Sequence, residues 1–196
     1  MSLRSLLRDV RACAACEGSL PLGARPVLQL ARSARLLIIS QAPGRKVHET
    51  GIPWNDASGD RLREWIGLDR STFYDPARVA ILPMGFCYPG PEKTGGDKPP
   101  RPECSPLWHT RLLAHLPDIR LTLLVGQYAQ RYYLGARWNG SMTETVRAFP
   151  EHGPQFLPLP HPSWRSVVWM RRHPWFEKRV LPHLRRVVHP ILAAPA

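Results

Sequence analysis

The chain has 196 residues, 43% of them hydrophobic, and a formal net charge of +12 from 27 Lys and Arg against 15 Asp and Glu. That apolar content is too high for a disordered chain, and the apolar runs stop far short of the ~20 residues that a membrane span needs. Met1-Ser2-Leu3-Arg4 does not open a signal peptide, so the expectation is a soluble, cytoplasmic protein, most simply a monomer, with one domain over residues 1–196. The excess of Arg points to a polyanionic partner, most simply nucleic acid.

Leu3, Leu6, Leu7 and Val10 recur at helical spacing, which predicts a helix over residues 2–11 running into Cys13-Ala14-Ala15-Cys16. With the Pro- and Gly-marked connection that follows, residues 1–30 form an N-terminal segment expected to pack on the core. Leu36-Leu37-Ile38-Ile39 reads as a first buried strand. A loop from Ser40 to Asp56 follows it, and then a helix over 58–66. Residues 69–77 read as turn-like and 78–82 as a second strand ending at Pro83. Residues 84–106, rich in Gly and Pro and holding Cys87 and Cys104, are too long for a simple connection, and such loops are usually functional or held by something. A helix is expected over 109–116, a third strand over 121–125 closed by Gly126, and a helix over 128–134. Residues 143–149 carry no decisive pattern. A short fourth strand over 156–159 runs into Pro160-His161-Pro162-Ser163-Trp164-Arg165, and 167–188 reads as one helix broken near His173-Pro174. Four strands alternating with helices imply an α/β fold whose parallel sheet is covered on both faces.

In open α/β sheets, ligands bind beyond the carboxyl ends of the strands. The loop after the first strand holds Gln41, Gly44, His48, Glu49, Trp54 and Asp56 at such a place, and His161 follows the fourth strand between two prolines that limit its backbone. An imidazole there can donate a hydrogen bond to an oxygen on which negative charge develops. Cys13 with Cys16, and Cys87 with Cys104, account for all four cysteines. Disulfides are not expected in an intracellular protein; four thiolates suit either a zinc ion or an iron–sulfur cluster, and spacing alone does not choose between them.

These residues together resemble the uracil-DNA glycosylase superfamily, and most closely its iron–sulfur branch, family 4. Gln41-Ala42-Pro43-Gly44 followed by Thr50-Gly51-Ile52-Pro53-Trp54 is similar to that branch's Glu-Ala-Pro-Gly and Thr-Gly-x-Pro-Phe, and His161-Pro162-Ser163 to its second motif. The resemblance implies a three-layer α/β/α sandwich with a central four-stranded parallel sheet. It also implies hydrolysis of the N-glycosidic bond of uracil or another deaminated base in DNA, as in base excision repair. A base must leave the stack to be cut. Trp54, with Gly44 and Met84, is expected to receive it, and His161 to stabilise the departing anion. Gln41 with Glu49 or His48 would handle the water, and Ser163, Trp164 and Arg165 would press on the DNA. Cys13, Cys16, Cys87 and Cys104 match the order of the ligands of a structural 4Fe–4S cluster, with zinc the alternative.

Two departures stand out. Gln41 occupies the place of the family's glutamate, and an amide positions a water without taking its proton. Leu82-Pro83-Met84-Gly85 stands where the family has an asparagine that reads the uracil edge. A protein that binds damaged or single-stranded DNA without excision is therefore the alternative expectation.

Overall fold

The computed structural model describes residues 1–93 and 95–193. Four strands, β1 (Leu36–Ile39), β2 (Val79–Ile81), β3 (Leu121–Val125) and β4 (Phe156–Leu159), form one sheet in the order β2-β1-β3-β4. All three pairings are parallel, with Ile38 opposite both Ile81 and Leu123, and Leu123 opposite Leu157. Parallel neighbours need crossovers, and helices supply them.

Strand side chains alternate faces, and the alternation divides the core in two. Leu36, Ile38, Val79, Ile81, Leu123, Val125, Leu157 and Leu159 pack on one face. Against them lie α3 (Ala57–Ile66), the π-turn Phe176–Val180 and α9 (Leu181–Ala193), through Leu62, Trp65, Ile66, Phe176, Leu184 and Val188. Leu37, Ile39, Ala80, Leu82 and Leu124 face the other way. They meet α1 (Leu3–Arg11), α5 (Cys104–Leu113) and α6 (Gln127–Leu134) through Leu6, Val10, Trp108, Leu112, Ala129 and Leu134. The result is the three-layer α/β/α arrangement. The N-terminal helix contributes to the second layer, and strands buried on both faces read as unbroken apolar runs.

The remaining helices correct the reading of several connections. Residues 45–50 of the central loop form α2 (Arg45–Thr50), closed by Gly51 in a left-handed conformation. The turn-like stretch 69–77 contains α4 (Arg70–Phe73), whose Thr72 N–H is capped by the Asp69 carboxylate. The undecided region contains α7 (Met142–Arg147), capped by Ser141. α5 begins at Cys104, five residues before the expected start. Trp164 and Arg165, expected in a loop, open α8 (Trp164–Arg172).

Both sheet edges are finished by local chemistry. Gln29 exchanges backbone hydrogen bonds with Ile81 on the outer side of β2, and its side-chain amide donates to the Phe73 and Val79 carbonyls. On β4, the Gln155 and Leu159 carbonyls accept from Thr122 and Gly126 of the β3 segment. Alternation then turns residue 158 to the open edge, and Pro158 has no N–H to offer there.

Candidate active site

The carboxyl ends of β1, β2 and β4 open into a cavity of about 330 Å³. Gln41 and Gly44 enter it from the end of β1, Pro83 from β2 and His161 from β4, while Trp54 and Asp56 close it from the loop before α3. Gly126, just past β3, makes this crowding possible. A Cβ there would lie 3.4 Å from the Gln41 Cγ and 3.5 Å from the His161 Cβ, and its φ of +87° is one that side-chain-bearing residues rarely adopt. The absent side chain lets Gln41 and His161 approach across the intervening strand.

Trp54 and His161 form one wall, their rings stacked with centroids 5.5 Å apart and planes 27° from parallel. Trp54 has φ +57°, a left-handed backbone that a bulky residue adopts only when its surroundings impose it. Its carbonyl accepts from the Arg63 guanidinium at 3.3 Å and the Tyr74 hydroxyl at 3.2 Å. Arg63 is buried, paired with Asp60 and placed over the Phe73 and Tyr74 rings. Gly59 lies against the same carbonyl, so close that a Cβ would stand 1.8 Å from the oxygen. His161 is fixed by its flanks. Arg61 donates to the Pro162 and Ser163 carbonyls, both at 2.9 Å, and the Ser163 N–H donates to the His161 carbonyl. Burial lowers the His161 pKa to about 4, so its imidazole is neutral around pH 7.

The opposite wall is acidic. Asp56 caps α3 by accepting from the Gly59 N–H at 2.8 Å, while its Oδ2 lies 3.8 Å from where a Gly44 Cβ would be. The Asp97 Oδ2 lies 3.4 Å from the same point, and Lys98 lines the cavity beside it. Burial raises the Asp97 pKa, and the charge of Asp56 adds to this; a hydrogen bond from the Tyr88 hydroxyl works in the opposite direction. Asp97 and Lys98 were not among the expected site residues. The only local signal is the Gly95-Gly96 pair that turns the chain back, since the fold alone brings this segment to the cavity.

Three expected residues are not in the cavity lining. Glu49 points outward on α2 and pairs with Arg45 at 2.9 Å across one helical turn. His48, on the same helix, is buried, with its ring 6.2 Å from that of Tyr88. Met84 belongs to the second core cluster, its N–H donated to the Ser40 carbonyl. Helical rotation explains the first two, and strand alternation the third. The acid that does reach the cavity from this loop is Asp56.

Ser163, Trp164 and Arg165 stand at the mouth. Trp164 is 69% exposed, with the Arg165 guanidinium 4.9 Å from its ring. Arg165 also donates to the Gly95 carbonyl at 3.0 Å, tying the mouth to the acidic wall.

Cys13, Cys16, Cys87 and Cys104 line a second, narrow cavity of about 20 Å³ together with Pro26, Gly85, Phe86 and Arg101. None is in a disulfide, and the Cys104 Sγ accepts from the Phe86 N–H at 3.4 Å. Burial pushes the Cys87 thiol up to about 11 and that of Cys104 up to about 12. Among the described residues, no three or more His, Cys, Asp or Glu side chains stand close enough to hold an ion as they are. The donor set is nonetheless a complete Cys₄ one, gathered from the N-terminal segment and the middle of the sequence.

No helix among the described residues is long and apolar enough to cross a membrane. The model of one protein family, the uracil DNA glycosylase superfamily, matches residues 29–185. That span takes in every strand, the whole cavity lining except Val27, and two of the four cysteines. With its four-stranded parallel sheet and its site at the carboxyl edge, this chain belongs to the uracil DNA glycosylase superfamily.

Proposed function

We propose that the protein is a monofunctional DNA glycosylase that hydrolyses the N-glycosidic bond of uracil or another deaminated base. The observation carrying this reading is that an aromatic platform, a neutral imidazole, an amide and a free carboxylate oxygen all converge on one cavity in a superfamily that acts on DNA. An extruded base meets the Trp54 indole. The neutral His161 donates an N–H to a base carbonyl and stabilises the anion formed as the base leaves with the bonding electron pair. Gln41 orients a water at the sugar carbon, and the Asp56 carboxylate takes that water's proton as the new C–O bond forms. Asp56 thus supplies the acceptor that Gln41 cannot be, in place of Glu49 and His48. Trp164 wedges the opened stack, while Arg165 and the net charge of +12 hold the phosphates.

The order of the motifs supports placement in the family 4 branch, with the four cysteines holding a structural 4Fe–4S cluster or, alternatively, zinc. Either group would fasten the N-terminal segment to the loop after β2, and neither enters the chemistry. A cavity of about 20 Å³ takes roughly one water-sized group. Either group would therefore require the four thiols to rearrange from the positions they hold here. Brown colour with visible absorbance that bleaches on reduction supports the cluster; a colourless protein with stoichiometric zinc overturns it.

Gln41 favours a second reading, in which the protein binds damaged or single-stranded DNA without cutting it. Free-base release from oligonucleotides bearing uracil, hypoxanthine or xanthine decides between them. Release that collapses in His161→Ala supports the enzyme, whereas salt-dependent binding without release from any substrate supports the binder.

A further inference from the structure

We propose that Asp97 reads the hydrogen-bonding edge of the extruded base, accepting from the ring N–H that deamination creates; this rests on the glycosylase reading above. The end of β2 cannot do it. Pro83 has no N–H, the Met84 side chain is in the core, and the two backbone donors that follow are already used. Met84 N–H goes to the Ser40 carbonyl at 2.8 Å, and Gly85 N–H to the Gln41 carbonyl at 2.9 Å. A base in the cavity therefore needs a reading group from another segment.

Asp97 arrives on a tight fold-back in which Glu92 N–H donates to the Gly96 carbonyl, Lys98 N–H to the Gly90 carbonyl, and Pro91 bridges to Asp97. Its carboxylate lies near the Tyr88 hydroxyl, which favours its charged form, and reaches the Pro43-Gly44 turn, where the missing Gly44 side chain leaves room for it. The other cavity acids and amides already have tasks: Asp56 caps α3 and, in the glycosylase reading, takes the water's proton, and Gln41 is packed against Gly126.

The chemistry fits deaminated bases as a class. Cytosine N3 and adenine N1 present lone pairs, which a carboxylate repels. Their deaminated products, uracil and hypoxanthine, carry N–H at those same atoms, and an N–H to a carboxylate makes a charge-assisted hydrogen bond. One acceptor thus covers pyrimidine and purine lesions, which an amide shaped to a single base edge does not.

The test is single-turnover base release by the full chain from two otherwise identical oligonucleotides, one with uracil and one with 3-methyluracil, whose N3 has no hydrogen. Wild type should prefer uracil. Asp97→Ala should lose roughly 10- to 100-fold on uracil and little on 3-methyluracil, because only the first loses a bond. Asp97→Asn, whose amide oxygen still accepts, should fall between, and it carries the test if the alanine variant fails to fold. Equal losses on both substrates, or no loss on uracil, overturn the proposal while leaving the glycosylase reading standing. A wild type that releases no base from either substrate or from the hypoxanthine control overturns that reading and this one with it.

Discussion

The two walls of the cavity are built in opposite ways. Trp54 and His161 are held by backbone-directed clamps: Arg63 and Tyr74 on one carbonyl, Arg61 on two others, and Gly59 packed against the first. Asp97 and Lys98 sit on a short fold-back tied to the body, among the described residues, by the side-chain bond from Arg165 to Gly95, contact with the Tyr88 hydroxyl and the hydrogen bonds of its own turn. The hydrogen bonds that hold the aromatic wall are buried or half-buried, whereas the bond from Arg165 to Gly95 that holds the acidic wall is exposed, where solvent competes for it.

The largest expected effect is on the aromatic wall. His161→Ala should lower single-turnover release roughly 10²- to 10³-fold with little change in DNA affinity, as when a donor to a developing oxyanion is removed. A loss as large in Asp97→Ala on every substrate would erase the distinction between the walls. Gly59→Ala comes next, because its Cβ cannot coexist with the Trp54 carbonyl. It should cost roughly 3 kcal/mol of stability by urea unfolding, and Trp54 fluorescence should report a moved ring.

A pH series separates the walls by sign. The His161 pKa is lowered to about 4 in the folded state from an ordinary 6.5, so its contribution is intact above pH 6.5 and lost as pH falls toward 4. That loss is at most about 3 kcal/mol, and it should disappear in His161→Gln. His109 is lowered to about 4 in the same way, its ring between the Tyr133 hydroxyl at 2.6 Å and the Pro83 carbonyl at 3.0 Å, so part of the acid lability survives that variant. Asp97 has the opposite sign. Its raised pKa means the fold favours its neutral form, and stability falls as pH rises from 3.8 through the raised value. Asp97→Asn should therefore be relatively more stable at neutral pH, measured by urea unfolding from pH 4 to 8.

The smallest effect is expected at the tie between the walls. Arg165→Ala should shift stability by no more than about 0.5 kcal/mol. It should reduce the salt dependence of DNA binding by about one phosphate contact and raise hydrogen exchange at Gly95 and Gly96.

The sheet was legible because every strand is apolar along its whole length apart from Thr122 in β3, as burial on both faces requires. His161 and Gln41 were legible because each lies two residues past a strand end, so sequence position nearly fixes spatial position, whereas Trp54 was legible only through the motif resemblance. Glu49 and His48 were misplaced because treating 45–50 as loop ignored helical rotation, although Arg45 and Glu49 stand at the spacing of an exposed ion pair. The short helix after Asp69 also had a signal, an Asp followed by Ser and Thr, which capping makes intelligible. Asp97 had almost none. It reaches the cavity through a reversal of the chain stabilised by its own backbone, and its partner Tyr88 lies on the same loop, so no periodicity marks it.

The finished edges of the sheet bear on how such a protein survives in a crowded solution. An open strand edge is a template on which a second chain can extend the ladder, and both edges here are blunted against this by small means. Gln29 occupies the outer side of β2, and Pro158 withholds a donor from the outer side of β4. Shortening the chain past Gln29 should uncover the outer side of Ile81 and raise the tendency to aggregate, read by light scattering.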